Sequence, residues 1–247
     1  MQRYRHHLYA LLGYLALTLL MTYPLVREFS RGIPGDGFDG WQNVWNLWWV
    51  KRALLVQGSN PYFTRFVDYP NGVYLYFHTL NIFNGLTFLP FTLNAGLLVA
   101  YNVAVVFSFV IGGYGAYLLA LYVLKDASEG ILSLSKEPWL ASHPKSALRH
   151  AQLAAFVGGA IFTFSPYHMA HLLGHMQLIS LEWLPFYALF ILVQISQSAS
   201  QRISEPVNQP SSNLRPQISN LFRPAFFLIL VAACDWYYAF YMVLFTG

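Results

Sequence analysis

Apolar residues fall along this chain in long runs, and the length of those runs decides what kind of protein it is. A bilayer core is crossed by about 20 apolar residues in helix. Five stretches approach or exceed that length with few charges: 8–26, 95–124, 153–166, 179–195 and 225–245. The third is short alone but is extended by apolar neighbours on both sides. The second carries Gly112, Gly113, Gly115 and Ala116, small residues that let another helix come close. A further run, 81–93, is too short to cross and contains Pro90, so it reads as a re-entrant or interfacial helix. Arg3, Arg5, His6 and His7 precede the first run, as in a signal peptide, but Thr22, Tyr23, Pro24 and Leu25 offer no small-residue cleavage site. The expected architecture is all-α: one polytopic integral membrane domain over 1–247, with about five transmembrane helices and interfacial helices in a long first outer loop, 27–94.

Composition agrees. Hydrophobic residues make up 56% and charged residues 10% of the 247, against about 25% charged in an ordinary soluble domain. The mean hydropathy is +0.43, more apolar surface than one core of this size hides from water. The net charge of +4 comes from scattered basic residues, which argues against nucleic acid as a partner and for the lipid bilayer. One cysteine, Cys234, excludes an internal disulfide and any multi-cysteine metal site. Glycine pairs such as Gly158-Gly159 lie inside apolar runs rather than after a strand, which argues against a phosphate-cradling loop.

Lysine and arginine set the expected orientation. Segments 1–7, 125–150 and 197–223 hold nine of the fourteen, and the short loop 167–178 holds none. The N-terminus is expected in the cytoplasm and loop 27–94 outside, in a plasma (inner) membrane. Residues 197–222, rich in Ser, Gln, Asn and Pro, read as a disordered inner linker; 125–150 is similar, with Trp139 able to dip into the interface. The fifth apolar run reaches almost to Gly247 without a polar tail, which points to the front part of a longer chain.

Chemistry concentrates outside. After the first span, Gly35, Gly37 and Gly40 with Pro34 present Asp36 and Asp39 in a turn. Trp41, Trp45, Trp48 and Trp49 follow at helical spacing, with Gln42, Asn43 and Asn46 on the other face, as in a helix lying flat in the headgroup layer. The acids could cap this helix, act as a general base, or contribute to a divalent-cation site. Asp68-Tyr69-Pro70-Asn71-Gly72 reads as a turn, and His78 as the start of the short helix returning to the membrane. On a continuous helix, His168, His171 and His175 would share one face, suited to zinc or manganese, to a phosphate, or simply to the interface. Glu182 and Asp235 are acids inside apolar runs and should face protein or a cavity, because a carboxylate in hydrocarbon costs about 2.5–3.5 kcal/mol.

Taken together, these residues resemble a family. The Gly-Asp-Gly-x-x-Gly-Trp loop, the Tyr-Pro-Asn-Gly turn, Ala100-Tyr101-Asn102, and the Phe-Ser-Pro-Tyr-His segment running on to Trp-Leu-Pro look like the N-terminal half of the C-type membrane glycosyltransferases, in a family-39-like bacterial branch. The resemblance covers about residues 1–196. It implies a polyprenyl-phosphate sugar as donor, a glycan, lipid or protein acceptor, and an acid in the first outer loop as base, which falls at Asp36 with Asp39 second. The departing phosphate would then be met by a divalent cation, magnesium or manganese, or by Arg65, His171 and His175, with His78 and His168 as further contacts. The competing expectations are a non-enzymatic lipid or polysaccharide carrier or assembly subunit, and an inactive fragment.

Overall fold

The computed structural model describes residues 4–35, 38–134, 144–204 and 218–246. Asp36, Trp139 and residues 205–217 of the expected linker lie outside them, and side chains are not described at Phe38, 126–147 and 201–220.

The described chain is mostly helical. Helix α1 (Arg5–Met21) leads through a turn-rich stretch to α2 (Phe38–Lys51), which runs on into a π-helical turn, Arg52–Gln57. A two-stranded antiparallel hairpin follows, β1 (Phe63–Thr64) with β2 (Val73–Tyr74), paired Phe63 to Tyr74 and Thr64 to Val73. Its loop is the turn expected at 68–72: the Gly72 amide donates to the Asp68 carbonyl at 2.8 Å, and Gly72 has φ +80. The 81–93 run forms two short helices, α3 (Ile82–Thr87) and α4 (Leu89–Asn94), with Pro90 in the first turn of the second. His78 therefore precedes α3 and is not its first residue.

Then come α5 (Leu97–Leu134), α6 (Pro144–Thr163), the short α7 (Pro166–His171) and α8 (Met176–Ile179), α9 (Leu184–Ser204), α10 (Ile218–Cys234) and α11 (Trp236–Thr246). The flanking helices run on to Leu134 and Ser204, so the loops expected at 125–150 and 197–222 are both shorter than the composition implied.

Three segments among the described residues are long and apolar enough to cross a membrane: Leu97–Lys125, Leu148–His171 and Met176–Ser200. The other two expected spans differ. Helix α1 has 17 residues, and the last apolar run is broken at Asp235 into helices of 17 and 11 residues. On α6, Leu153, Val157 and Ile161 form an exposed stripe at i, i+4 and i+8, an apolar face that fits lipid rather than water.

Helix α5 is the central post, and its glycines act as the spacing suggested. A side chain at Gly113 would touch Tyr14 of α1 and Thr163 of α6, and one at Gly115 would meet Phe186 of α9. Tyr14 is fully buried, stacks on Phe156 with ring centroids 4.6 Å apart, and donates to the Phe156 carbonyl at 2.9 Å. Asn102 ties the N-terminal end of α5 to the stretch after α1, donating to the carbonyls of Phe29 and Gly32 at 2.8 Å each.

Helix α2 turns toward the protein the polar face that the sequence places opposite its tryptophans. Its polar residues Asn43 and Asn46 are buried. The Asn43 amide donates to the Gly174 carbonyl at 2.9 Å and the Asp39 carbonyl at 3.1 Å, and Asn46 donates to the Thr79 carbonyl at 2.9 Å. Trp49 is also buried: its indole donates to the Pro61 carbonyl at 2.8 Å, and its ring lies parallel to Trp45 at 5.9 Å. Of the four tryptophans, Trp41 is the exposed one. The helix is clamped along its amide face because Asn43 and Asn46 satisfy backbone carbonyls of separate loops. Asn43→Ala is therefore expected to destabilise the protein by about 1–3 kcal/mol, read as a lower midpoint of thermal unfolding in detergent.

Candidate functional site

The clamp on α2 fixes the first candidate site. Asp39 lies in the first turn of α2, and its Oδ2 is 3.1 Å from Nε2 of His175. Both side chains are about two-fifths exposed, at 43% and 39%, so the pair is reachable from solvent yet held from behind. Asn43, one turn along α2, binds Gly174, so the same helix grips both the acid and the loop that carries its partner. Gly174 has φ +136 and approaches the backbone at Gly40, a conformation and a closeness that a side chain would prevent.

Gly174 also rearranges the histidines. Helix α7 ends at His171, the chain turns, and His175 stands immediately before α8. The three rings therefore do not line one helical face. His171 and His175 remain together, edge to face with centroids 5.0 Å apart. His168 points the other way: it is fully buried, stacked on Phe109 at 4.0 Å, with Nδ1 2.8 Å from the Thr163 carbonyl and Nε2 2.7 Å from the Ile179 carbonyl. That position makes it a tie between the end of α6 and the end of α8.

A tyrosine pair extends this cluster. The Tyr167 ring is 4.4 Å from His171, and its hydroxyl is 2.6 Å from that of Tyr238 on α11. Tyr238 donates to the Leu178 carbonyl at 2.8 Å, so Tyr167 is the donor between the two hydroxyls. On the other side of Asp39, Gln42 donates to Nε2 of His78 at 3.1 Å, while His78 Nδ1 faces the Thr79 hydroxyl at 3.4 Å. Burial pushes the His78 imidazole below its usual pKa, and accepting from Gln42 requires its neutral form, so the ring is uncharged at pH 7. The resulting band runs His78, Gln42, Asp39, His175, His171, Tyr167, Tyr238.

Two cavities lie among the same segments, the second of them sharing His78 with the band. One, about 480 Å³, is lined by Thr22 to Leu25, Ile33 to Gly35, Met169, Leu172 and Leu173, with Glu28 as its acid. Gly35 has φ +94, and a side chain there would strike the Leu173 carbonyl, so this glycine lets the approach to Asp36 press against the turn after α7. The other, about 460 Å³, holds His78, Cys234, Asp235 and a set of aromatic rings.

The remaining expected residues sit apart. Arg65 is exposed on the hairpin, and no hydrogen bond or ion pair among the described residues joins it to the band. Glu182 is fully buried between α5, α9 and α10; it accepts from the Ser108 hydroxyl at 2.9 Å, with the Cys234 sulfur 3.7 Å away. The Ser108 hydroxyl also contacts the Ile179 carbonyl, the same oxygen that faces His168. Among the described residues, no group of three or more His, Cys, Asp or Glu is placed to hold a metal ion. Sequence reasoning did not single out Tyr167 or Gln42 as part of the site. A tyrosine beside a histidine and a glutamine one turn from an acid were visible signals, but nothing local says that they converge.

No protein-family model matches the chain, and neither a curated protein nor a solved structure matches it.

Proposed function

We propose that this protein is a membrane glycosyltransferase that moves a sugar from a polyprenyl-phosphate donor to an acceptor on the outer face of the membrane. The observation that carries the reading is the accessible contact of Asp39 with His175 at 3.1 Å, together with a largely apolar cavity at the C-terminal end of α1 whose wall includes Leu173, two residues before His175. A lipid-linked sugar has an apolar chain and an anionic, hydroxyl-rich head, so it needs these two environments side by side. The chain would lie against Met169, Leu172 and Leu173, and the head would meet the band of Asp39, His175 and His171.

The chemistry follows from residue types. An acceptor hydroxyl attacks the anomeric carbon, the bond from that carbon to the phosphate oxygen breaks, and the hydroxyl proton passes to a carboxylate. Asp39 is one such carboxylate, and Asp36 stands three residues before it. The polyprenyl phosphate leaves with its negative charge, and hydrogen bonds from His171 and His175 stabilise it there. Outward-facing vesicles containing the full-length protein and a radiolabelled polyprenyl-phosphate sugar test this directly. Asp36→Ala is expected to reduce transfer at least about 100-fold; transfer at the wild-type rate would remove Asp36 from the reaction and leave Asp39 as its base.

A further inference from the structure

The second cavity belongs to a different chemistry. Its walls are Tyr76 and Phe77 after the hairpin, and Trp236, Tyr237, Phe240 and Tyr241 on α11; His78 and Asp235 supply the ionisable side chains besides the Cys234 thiol. It sits where the last apolar run is broken. Asp235 occupies the break and caps α11, its Oδ1 accepting from the amides of Tyr237 at 2.7 Å and Tyr238 at 3.4 Å. Its second oxygen, Oδ2, makes no hydrogen bond among the described residues, and the residue is 9% exposed. The carboxylate is thus tied to the backbone through Oδ1, while Oδ2 stays open to the cavity, where a partner can reach it.

The charge of the missing partner is fixed by what surrounds it. No lysine or arginine lines the cavity, and His78 is neutral, with both ring nitrogens engaged by Gln42 and Thr79. Asp235 is therefore the group that sets the sign of the field. Aromatic faces add to it, because the ring quadrupole presents negative charge above its plane. Metal ions fit badly: a hard divalent cation takes six or more oxygen ligands, and one carboxylate is far short of that. A lining of six aromatic residues and one carboxylate instead suits an organic ammonium group, which gains from ring faces and a single anion without needing a full set of donors. The volume of about 460 Å³ lies within the usual small-ligand range of about 300–1,000 Å³.

We propose that this cavity binds an organic ammonium group, quaternary or primary, of the kind carried by a choline or ethanolamine lipid or by a soluble amine. The cavity adjoins the band through His78, and ammonium binding there does not depend on the transfer reaction.

The test is binding of choline to the full-length protein in phosphatidylglycerol nanodiscs, followed by calorimetry and by the fluorescence of Trp236 against a Trp236→Leu control. Choline is expected to bind saturably, and its neutral isostere 3,3-dimethylbutan-1-ol at least about tenfold more weakly. Asp235→Asn keeps an amide oxygen to cap α11, so the fold is retained while choline affinity falls at least about tenfold. Trp236→Leu keeps bulk but removes a ring, and it is expected to weaken choline severalfold. In phosphatidylcholine discs, weaker apparent binding of free choline identifies the lipid headgroup as the source; equal binding identifies a soluble amine. Either result supports the ammonium site. No saturable choline binding, equal affinity for the neutral isostere, or full affinity in Asp235→Asn overturns it.

Discussion

Replacing Asp39 with asparagine is expected to slow sugar transfer about 10²–10⁴-fold while leaving the protein folded. Asparagine has the same shape but carries no negative charge, so it removes the second acid of the Asp36–Asp39 pair and leaves His175, which is to meet the departing phosphate, without its carboxylate partner at 3.1 Å. Stability should hardly change. The pair is two-fifths exposed, and a contact in that setting is worth about 0–1 kcal/mol. Asparagine also remains a good residue at a helix N-terminus. The separation of rate from stability is what distinguishes a reacting carboxylate from one that only trims the end of α2. His175→Gln should also slow transfer, and the double variant should lose less than the product of the two single losses, because both act through one contact. Initial rates from a labelled donor, with unfolding midpoints of the same four proteins, check this.

The largest effect on stability is expected from Gly159→Val. Helices α1, α5 and α6 meet at this residue, and a Cβ there would collide with the Tyr14 hydroxyl and lie 2.5 Å from the Gly113 carbonyl. Tyr14 is buried and cannot swing into solvent, and its hydroxyl is committed to the Phe156 carbonyl. Overpacking of this kind costs about 1–3 kcal/mol, and forfeiting the tyrosine hydrogen bond adds about 1 kcal/mol. The adjacent glycine is the control. A Cβ at Gly158 would meet only the Ala120 methyl at 3.7 Å, an ordinary contact, so Gly158→Ala should be neutral or mildly stabilising. A sharp drop in the unfolding midpoint for the first variant and none for the second is the expected pattern. Equal behaviour of the two would mean that the three helices are not packed through Gly159.

The two predictions differ in how far they could be read from the sequence. The glycines of α5 and the turn at 68–72 were legible, because a small residue in an apolar run and an Asp-x-Pro-Asn-Gly string each have few structural uses. The apolar runs likewise gave the helices, although length alone could not show that the last run breaks at Asp235. An acid in that run was the visible sign of the break. Helix α2 was misjudged because its periodicity records which residues are polar, not where they point. Asn43 and Asn46 are polar and buried, since their partners are the carbonyls of Gly174 and Thr79, the first 131 residues away in the chain. The histidine row failed for a local reason. Gly174 lay between His171 and His175 in plain view, and its left-handed backbone ends the helical register that would have aligned them. What survives is a pair, His171 with His175, joined by an acid from a separate element.

The most direct measurement is release of polyprenyl phosphate from a polyprenyl-phosphate sugar confined to the outer leaflet of vesicles that hold the full-length protein. The proposed function predicts acceptor-dependent release by the wild-type protein and none above protein-free vesicles once Asp36 and Asp39 are both alanine. Release that persists in that double variant, or wild-type vesicles no more active than empty ones, would contradict it.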